Sequence, residues 1–167
     1  MRRLVLMVVA LTLTLVASAA AQQVVFVVRH AERADTVAGG SAMMATDPDL
    51  SDAGRARAQS LASALKDAAI TAIFVTEFKR TQQTAEPLAK ALGIKPTIVT
   101  AKDSAALVEK VKAATSNVLV VGHSNTVPEV IAGLGGQTTV KLSDADFDNL
   151  FVVVRGEKPR LVRIHYR

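Results

Sequence analysis

The chain has no cysteine and no tryptophan, one tyrosine and five phenylalanines among its 167 residues. Without cysteine it has no disulfide framework, no thiolate metal site and no thiol nucleophile, so its stability must come from an apolar core. Aromatic residues are too few, and Lys and Arg too scattered, for the stacking platforms and basic tracks of a nucleic-acid surface. No internal repeat or low-complexity linker divides the chain. The longest apolar run, residues 4–16, is shorter than the roughly 20 residues a membrane-spanning helix needs.

That run follows Met1, Arg2 and Arg3 and is followed by Ser18, Ala19, Ala20 and Ala21. A basic start, an apolar stretch and small residues at its end have the form of a secretory signal peptide, with cleavage expected after Ala21. Residues 22–167 are then one periplasmic or secreted domain, long enough to bury most of its apolar surface, with no stable membrane anchor after cleavage. Arg2 and Arg3 supply two of the formal +5 charges, so the remainder is only mildly basic.

Two short apolar runs carry the main signal. Residues 24–28, Val-Val-Phe-Val-Val, end in Arg29 and His30, and residues 118–121, Val-Leu-Val-Val, end in Gly122 and His123. A strand covered on both faces reads as a continuous apolar run, and open α/β sheets hold their ligands beyond the carboxyl ends of such strands. Two strands thus deliver two histidines to one edge.

Between them, apolar runs alternate with helical periodicity, which predicts an α/β fold: a three-layer sandwich with a mostly parallel central sheet and helices on both faces. Residues 34–50 read as a long loop, of a length that is usually functional. Ser51 is the expected N-cap of a helix reaching about Lys66, with Ala56, Leu61, Ala64 and Leu65 facing the sheet and Gly54 weakening it slightly. A strand over residues 70–76 precedes a helix from about Lys79 to Leu92. Gly93 stops that helix, and Pro87 is expected to kink or restart it. Arg80 falls in its first turn, where the helix dipole offers a cation nothing. Residues 97–100 suggest a short strand, Asp103 or Ser104 an N-cap, and residues 105–114 a helix turning Leu107, Val108 and Val111 inward. After His123, Asn125 or Thr126 is expected to cap a helix running to about Leu134, with Pro128 in its first turn. Backbone N–H groups at that helix start are expected to point toward His123 and suit an anionic oxygen. Residues 150–155 and 161–166 predict a closing hairpin, in which His165 is structural.

Arg29-His30-Ala31-Glu32, then Arg80-Thr81-Gln82-Gln83-Thr84-Ala85, then Val121-Gly122-His123-Ser124-Asn125 resemble, in this order, the histidine phosphatase superfamily of phosphoglycerate mutase-like fold. The resemblance spans nearly the whole mature chain. It is nearest to a subgroup of small secreted bacterial proteins with an Arg-His-Ala-Glu start and a Gly-His-Ser-Asn-Thr-Val-Pro segment.

The resemblance implies a phosphatase acting on a phosphomonoester or phosphoramidate, in a small molecule or a phosphoprotein, without cofactor or metal. His30 is the implied nucleophile, since a neutral imidazole can attack phosphorus in line and split one difficult displacement into two easier ones. Arg29 and Arg80 bind the phosphoryl oxygens with forked, permanently charged donors. His123 completes the pocket, protonated while phosphate is bound, with Ser124 beside it as a substrate contact. Asp103 is the leading candidate to protonate the leaving group, ahead of Glu32 and Glu129. If none serves, the substrate carries a good leaving group. Glu32 is expected to orient Arg33 or a loop, and Ala31, where the family more commonly has Gly, to keep its N–H available. The alternatives are a catalytically weak phosphate- or polyanion-binding module, a phosphomutase, and a metal-dependent hydrolase using His30, His123 and an Asp.

Overall fold

The structure is a computed structural model that describes residues 22–36, 47–136 and 140–166. The expected signal peptide and most of the 34–50 loop lie outside the described residues.

Six strands form one sheet in the order β3-β2-β4-β1-β5-β6. The strands are β1 (Val24–Arg29), β2 (Ile70–Val75), β3 (Thr97–Ile98), β4 (Asn117–Gly122), β5 (Asn149–Val154) and β6 (Arg160–His165). Strand β1 pairs parallel with β4, β4 with β2 and β2 with β3, while β5 runs antiparallel to both β1 and β6. The expected mostly parallel sheet and closing hairpin are both present.

Alternation along the strands divides the core between two faces. Val25 and Val27 point with Val118, Val120, Phe151 and Val153 into one apolar cluster. It is sealed by α3 (Ser104–Ala113) and α4 (Thr126–Gly133), through Leu107, Val108, Val111, Val127, Val130 and Ile131. Val28, Ile73, Val75, Leu119 and Val121 point the other way, under α1 (Asp52–Leu65) and α2 (Lys79–Leu92). The central strands are therefore buried on both sides, which is why their sequences are unbroken apolar runs.

The helices start where their caps dictate. Ser51 Oγ accepts from Gly54 N at the head of α1, and Asp103 Oδ1 accepts from Ala106 N at the head of α3. Gly93 closes α2 in a left-handed conformation (φ 66°) that glycine adopts without steric cost. Helix α2 runs through Pro87 as one element rather than restarting there. Asn125 occupies the N-cap position of α4 but makes no side-chain cap bond; Thr126 Oγ1 instead accepts from His123 N at 2.7 Å.

Helix α1 turns a different face inward than expected. Gly54, Ala58, Leu61, Ala62 and Leu65 are buried, whereas Ala56 and Ala64 are exposed. Gly54 is required rather than merely tolerated, because a Cβ there would lie 2.2 Å from Glu32 O. That close approach brings the start of α1 against the chain leaving β1, where Ser51 N donates to Glu32 O at 2.9 Å. No helix among the described residues is long and apolar enough to cross a membrane.

Candidate active site

The parallel register brings the carboxyl ends of β1, β4 and β2 side by side. Arg29 pairs with Gly122, Val75 pairs with Val121, and His30 N donates to Gly122 O at 2.9 Å. His30 and His123 consequently face one another with ring centroids 5.4 Å apart and planes at 61°. Both are buried, with relative exposures of 4% and 7%.

The protonation state of His30 follows from its contacts. Its Nδ1 lies 2.8 Å from Ala31 O. A carbonyl only accepts, so Nδ1 carries the proton and Nε2 keeps its lone pair. Burial lowers the His30 pKa to about 3, against the opposing Ala31 bond and with help from His123, Arg29 and Arg80. Burial likewise takes His123 down to about 4, with Arg80 and Arg29 lowering it further and Glu77 opposing them. Both imidazoles are neutral at neutral pH.

Arg29 and Arg80 flank this pair, each held against an aromatic ring. The Arg29 guanidinium carbon sits 4.4 Å from the Phe147 ring centroid, and Arg29 Nη1 donates to Ser143 O at 2.7 Å. The Arg80 carbon sits 4.3 Å from the Phe78 ring, its Nη2 donates to His123 Nδ1 at 3.4 Å, and its Nη1 is 3.7 Å from Asp47 Oδ1. Such stacking fixes the guanidinium planes while leaving their edges to donate. Burial lowers both arginine pKa values, and Arg33 adds repulsion from nearby. The Nε atoms of both arginines are buried and find no acceptor among the described residues. A buried donor without an acceptor costs about 1–3 kcal/mol. An oxyanion beside the two guanidinium groups would balance the positive field they set up at the imidazoles.

The structure brings His30, Arg29, Arg80 and His123 together, and Ser124 follows His123 in the turn into α4. Ser124 makes no side-chain hydrogen bond among the described residues. Asp103 is not brought to the cluster: its exposed carboxylate caps α3, and none of the described contacts of the four residues is with it. Glu32 turns toward α1, where Arg57 Nε and Nη2 grip its carboxylate at 2.6–2.9 Å. Its partner is thus Arg57 and not Arg33, which pairs with Asp35. Glu129 is exposed on α4.

Two backbone expectations also change. The Ala31 N–H is not available, because it donates to Thr84 Oγ1 at 2.9 Å. The Val127 N–H at the start of α4 is bonded to His123 O and so is not among the N–H groups available to an anion there. His165 lies exposed on β6, 3.1 Å from Asp148. Sequence reasoning missed Phe78, Phe147, Asp47 and the threonines behind the pocket, Thr76, Thr81 and Thr84. Of these only Phe78, two residues before Arg80, and Thr76, at the end of an apolar strand, had a position that could have drawn notice. No group of three or more His, Asp or Glu side chains among the described residues is arranged to hold a metal ion.

Buried neutral imidazoles between guanidinium groups, at the tips of adjoining parallel strands in a sheet of this order, define an α/β protein of phosphoglycerate mutase-like fold. Residues 25–109 match the family model of the histidine phosphatase superfamily (branch 1), and the chain belongs to that family. No curated protein matches it. Among solved structures it is similar to the SixA protein from Agrobacterium tumefaciens, with a TM-score of 0.65 and 20% identity over 85% of this chain and 97% of that one. It is also similar to the protein histidine phosphatase SixA in complex with tungstate (TM-score 0.63, 21% identity, 86% and 97% of the two chains). A mycobacterial glucosyl-3-phosphoglycerate phosphatase in complex with VO3 gives a TM-score of 0.66 at 16% identity, over 83% and 97%. At 16–21% identity these likenesses show the fold, and the family model shows the superfamily.

Proposed function

We propose that the protein hydrolyses a phosphomonoester or phosphoramidate in two displacements, through a phosphohistidine on His30. The observation that carries this reading is the combination of a neutral His30 with its bare Nε2 and two guanidinium groups, of Arg29 and Arg80, near enough to lower its pKa. The first group attacks an electrophilic phosphorus, and the second pair meets the charge that spreads over the equatorial oxygens.

In the first displacement a bond forms from His30 Nε2 to phosphorus as the leaving group departs with its bonding electrons. Arg29 and Arg80 hold the oxygens. The incoming negative charge opposes the burial and, after it, the Arg80 and Arg29 repulsion that keep His123 neutral, so His123 takes up a proton on phosphate binding. Water then attacks phosphorus in line, releases phosphate and restores His30. This chain's residues need no metal ion for any of these steps.

Among the described residues no carboxylate hydrogen-bonds to either imidazole, with Asp103 capping a helix and Glu32 paired to Arg57. The leaving group is therefore one that departs easily or is protonated by His123. A phosphoramidate fits this chemistry. The protein histidine phosphatase among the structural neighbours supports that class, and the glucosyl-3-phosphoglycerate phosphatase supports a phosphomonoester. The leader-like residues 1–21 favour a periplasmic or secreted location.

The lack of a carboxylate at the imidazoles favours one second reading, a phosphate-binding module with weak turnover. Hydrolysis of an aryl phosphate, with and without chelator and beside His30→Ala, separates the two. Chelator-resistant, vanadate-sensitive activity lost in His30→Ala supports the enzyme. Phosphate binding without turnover supports the module, and chelator-sensitive turnover points to metal chemistry.

A further inference from the structure

Behind His123 runs a chain of hydroxyl groups whose contacts favour one direction. Thr81 Oγ1 lies 2.8 Å from Phe78 O and 3.1 Å from Thr76 O, and it accepts the Thr76 N–H at 3.1 Å. Carbonyls only accept, so the single Thr81 hydroxyl proton is committed to the backbone. Thr76 Oγ1 sits 3.0 Å from Thr81 Oγ1 and 2.9 Å from His123 Nε2. If the Thr76 proton pointed at His123, two buried hydroxyl oxygens would meet with no proton between them. Pointing at Thr81, it satisfies that contact and leaves Thr76 Oγ1 to accept from His123 Nε2–H.

The opposite side of the ring requires the same arrangement. Arg80 Nη2 lies 3.4 Å from His123 Nδ1, and a guanidinium only donates, so Nδ1 must be the bare nitrogen. Thr76 and Thr81 are buried, with relative exposures of 2% and 0%, so water does not compete for these bonds.

We propose that Thr76 is a positioning residue, which holds neutral His123 as its Nε2–H tautomer and so presents Nδ1 to Arg80 and the anion site as the atom that takes the proton when phosphate binds. The groups that bear on this proton are Arg29 at the end of β1, His30 just after it, Glu77 from the turn into α2 and Arg80 from the first turn of α2. From α4, Thr126 and Val127 engage His123 only through its backbone N–H and carbonyl among the described residues. In the free protein Arg80 satisfies Nδ1. An entering phosphate draws Arg80 to itself, and Nδ1 becomes a donor to the anion. The opposite tautomer would turn a fixed N–H against Arg80 and leave the relay with an unmet contact. The proposal deepens the phosphatase reading and rests on it for its effect on turnover, but the tautomer can be read without turnover.

The test is long-range proton–nitrogen correlation NMR on protein carrying 15N-histidine, near pH 7.5, on wild type, Thr76→Val and Thr76→Ser, with inorganic phosphate as the probe. In wild type His123 should show a protonated Nε2 and a bare Nδ1, with Nδ1 gaining a proton on phosphate addition. Thr76→Val, which keeps the branched shape but lacks the hydroxyl, should lose the tautomer preference and weaken phosphate binding up to about tenfold, the worth of one hydrogen bond. Thr76→Ser should restore both. A bare Nε2 in wild type overturns the proposal, and that measurement stands even if Thr76→Val fails to fold. A folded Thr76→Val with the wild-type tautomer and phosphate affinity overturns it too. Absence of turnover beside a protonated Nε2 and phosphate-coupled protonation of Nδ1 upholds it and counts against the phosphatase reading alone.

Discussion

His30 and His123, delivered by the parallel strands β1 and β4, face each other across 5.4 Å between ring centroids. Neither ring is positioned by itself: the Ala31 carbonyl orients one, Thr76 and Arg80 the other. Two imidazoles this close, beside Arg29 and Arg80, can both be buried only while neutral, and that condition links the site to the stability of the fold.

The link has a definite sign. Both histidines titrate lower in the fold, at about 3 and about 4, than the 6.5 of a free imidazole. Their contribution to stability is complete above pH 6.5 and is lost as pH falls toward 4, because the unfolded chain binds two protons that the fold excludes. At about 1.36 kcal/mol per proton and pH unit, the slope reaches at most about 2.7 kcal/mol per unit. Urea unfolding between pH 7.5 and 4.5 should show this loss, and His30→Ala/His123→Ala should flatten it. A wild-type stability independent of pH across that range would count against the neutral pair.

Arg80 is expected to act on the bound anion. Arg80→Ala should weaken phosphate or vanadate binding by roughly 10- to 150-fold, corresponding to about 1.5–3 kcal/mol for charged hydrogen bonds. Arg80→Lys should recover only part of this, since an ammonium lacks the planar fork. Isothermal titration checks both, and full recovery by Lys would show that charge alone matters.

The carboxylates considered as proton donors should separate stability from turnover. Glu32→Gln breaks the grip of Arg57 and should lower stability by about 1–3 kcal/mol while leaving the leaving-group dependence of turnover unchanged. Asp103→Asn keeps a good cap and should change neither, whereas Asp103→Ala should cost about 0.5–2 kcal/mol of stability. A selective slowing of poor leaving groups in Glu32→Gln or Asp103→Asn would restore that residue as the acid.

Gly54→Ala offers a control on the packing. In an ordinary helix interior the change gains about 1 kcal/mol. Here the added Cβ would lie 2.2 Å from Glu32 O, so the substitution should instead cost about 1–3 kcal/mol in urea unfolding. A stabilised variant would mean that α1 does not approach β1 so closely.

The sheet and the places of Arg29, His30 and His123 were legible because burial on both faces leaves an unbroken apolar run, and the polar residues ending such a run stand at a strand tip; Arg80, inside α2, was reached only through the resemblance. The inward face of α1 was not, because Gly54, Ala56, Ala58, Ala62 and Ala64 differ too little in hydropathy to mark a side. The place of Asp103 was not legible, because an aspartate before a helix looks the same whether it caps the helix or serves a reaction. The partnership of Glu32 with Arg57 spans 25 positions and leaves no local pattern. Thr76, Thr81 and Thr84 carry no periodicity of their own; their hydrogen bonds arise only once β2, β4 and α2 have packed.

The most direct test of the whole account is to mix the protein with an aryl phosphate, quench during turnover under alkaline conditions and map the modified peptide by mass spectrometry. A phosphoryl group on His30, labile in acid and absent together with turnover in His30→Ala, is the result predicted. Turnover that leaves no phosphoryl group on His30 and survives in His30→Ala would contradict it.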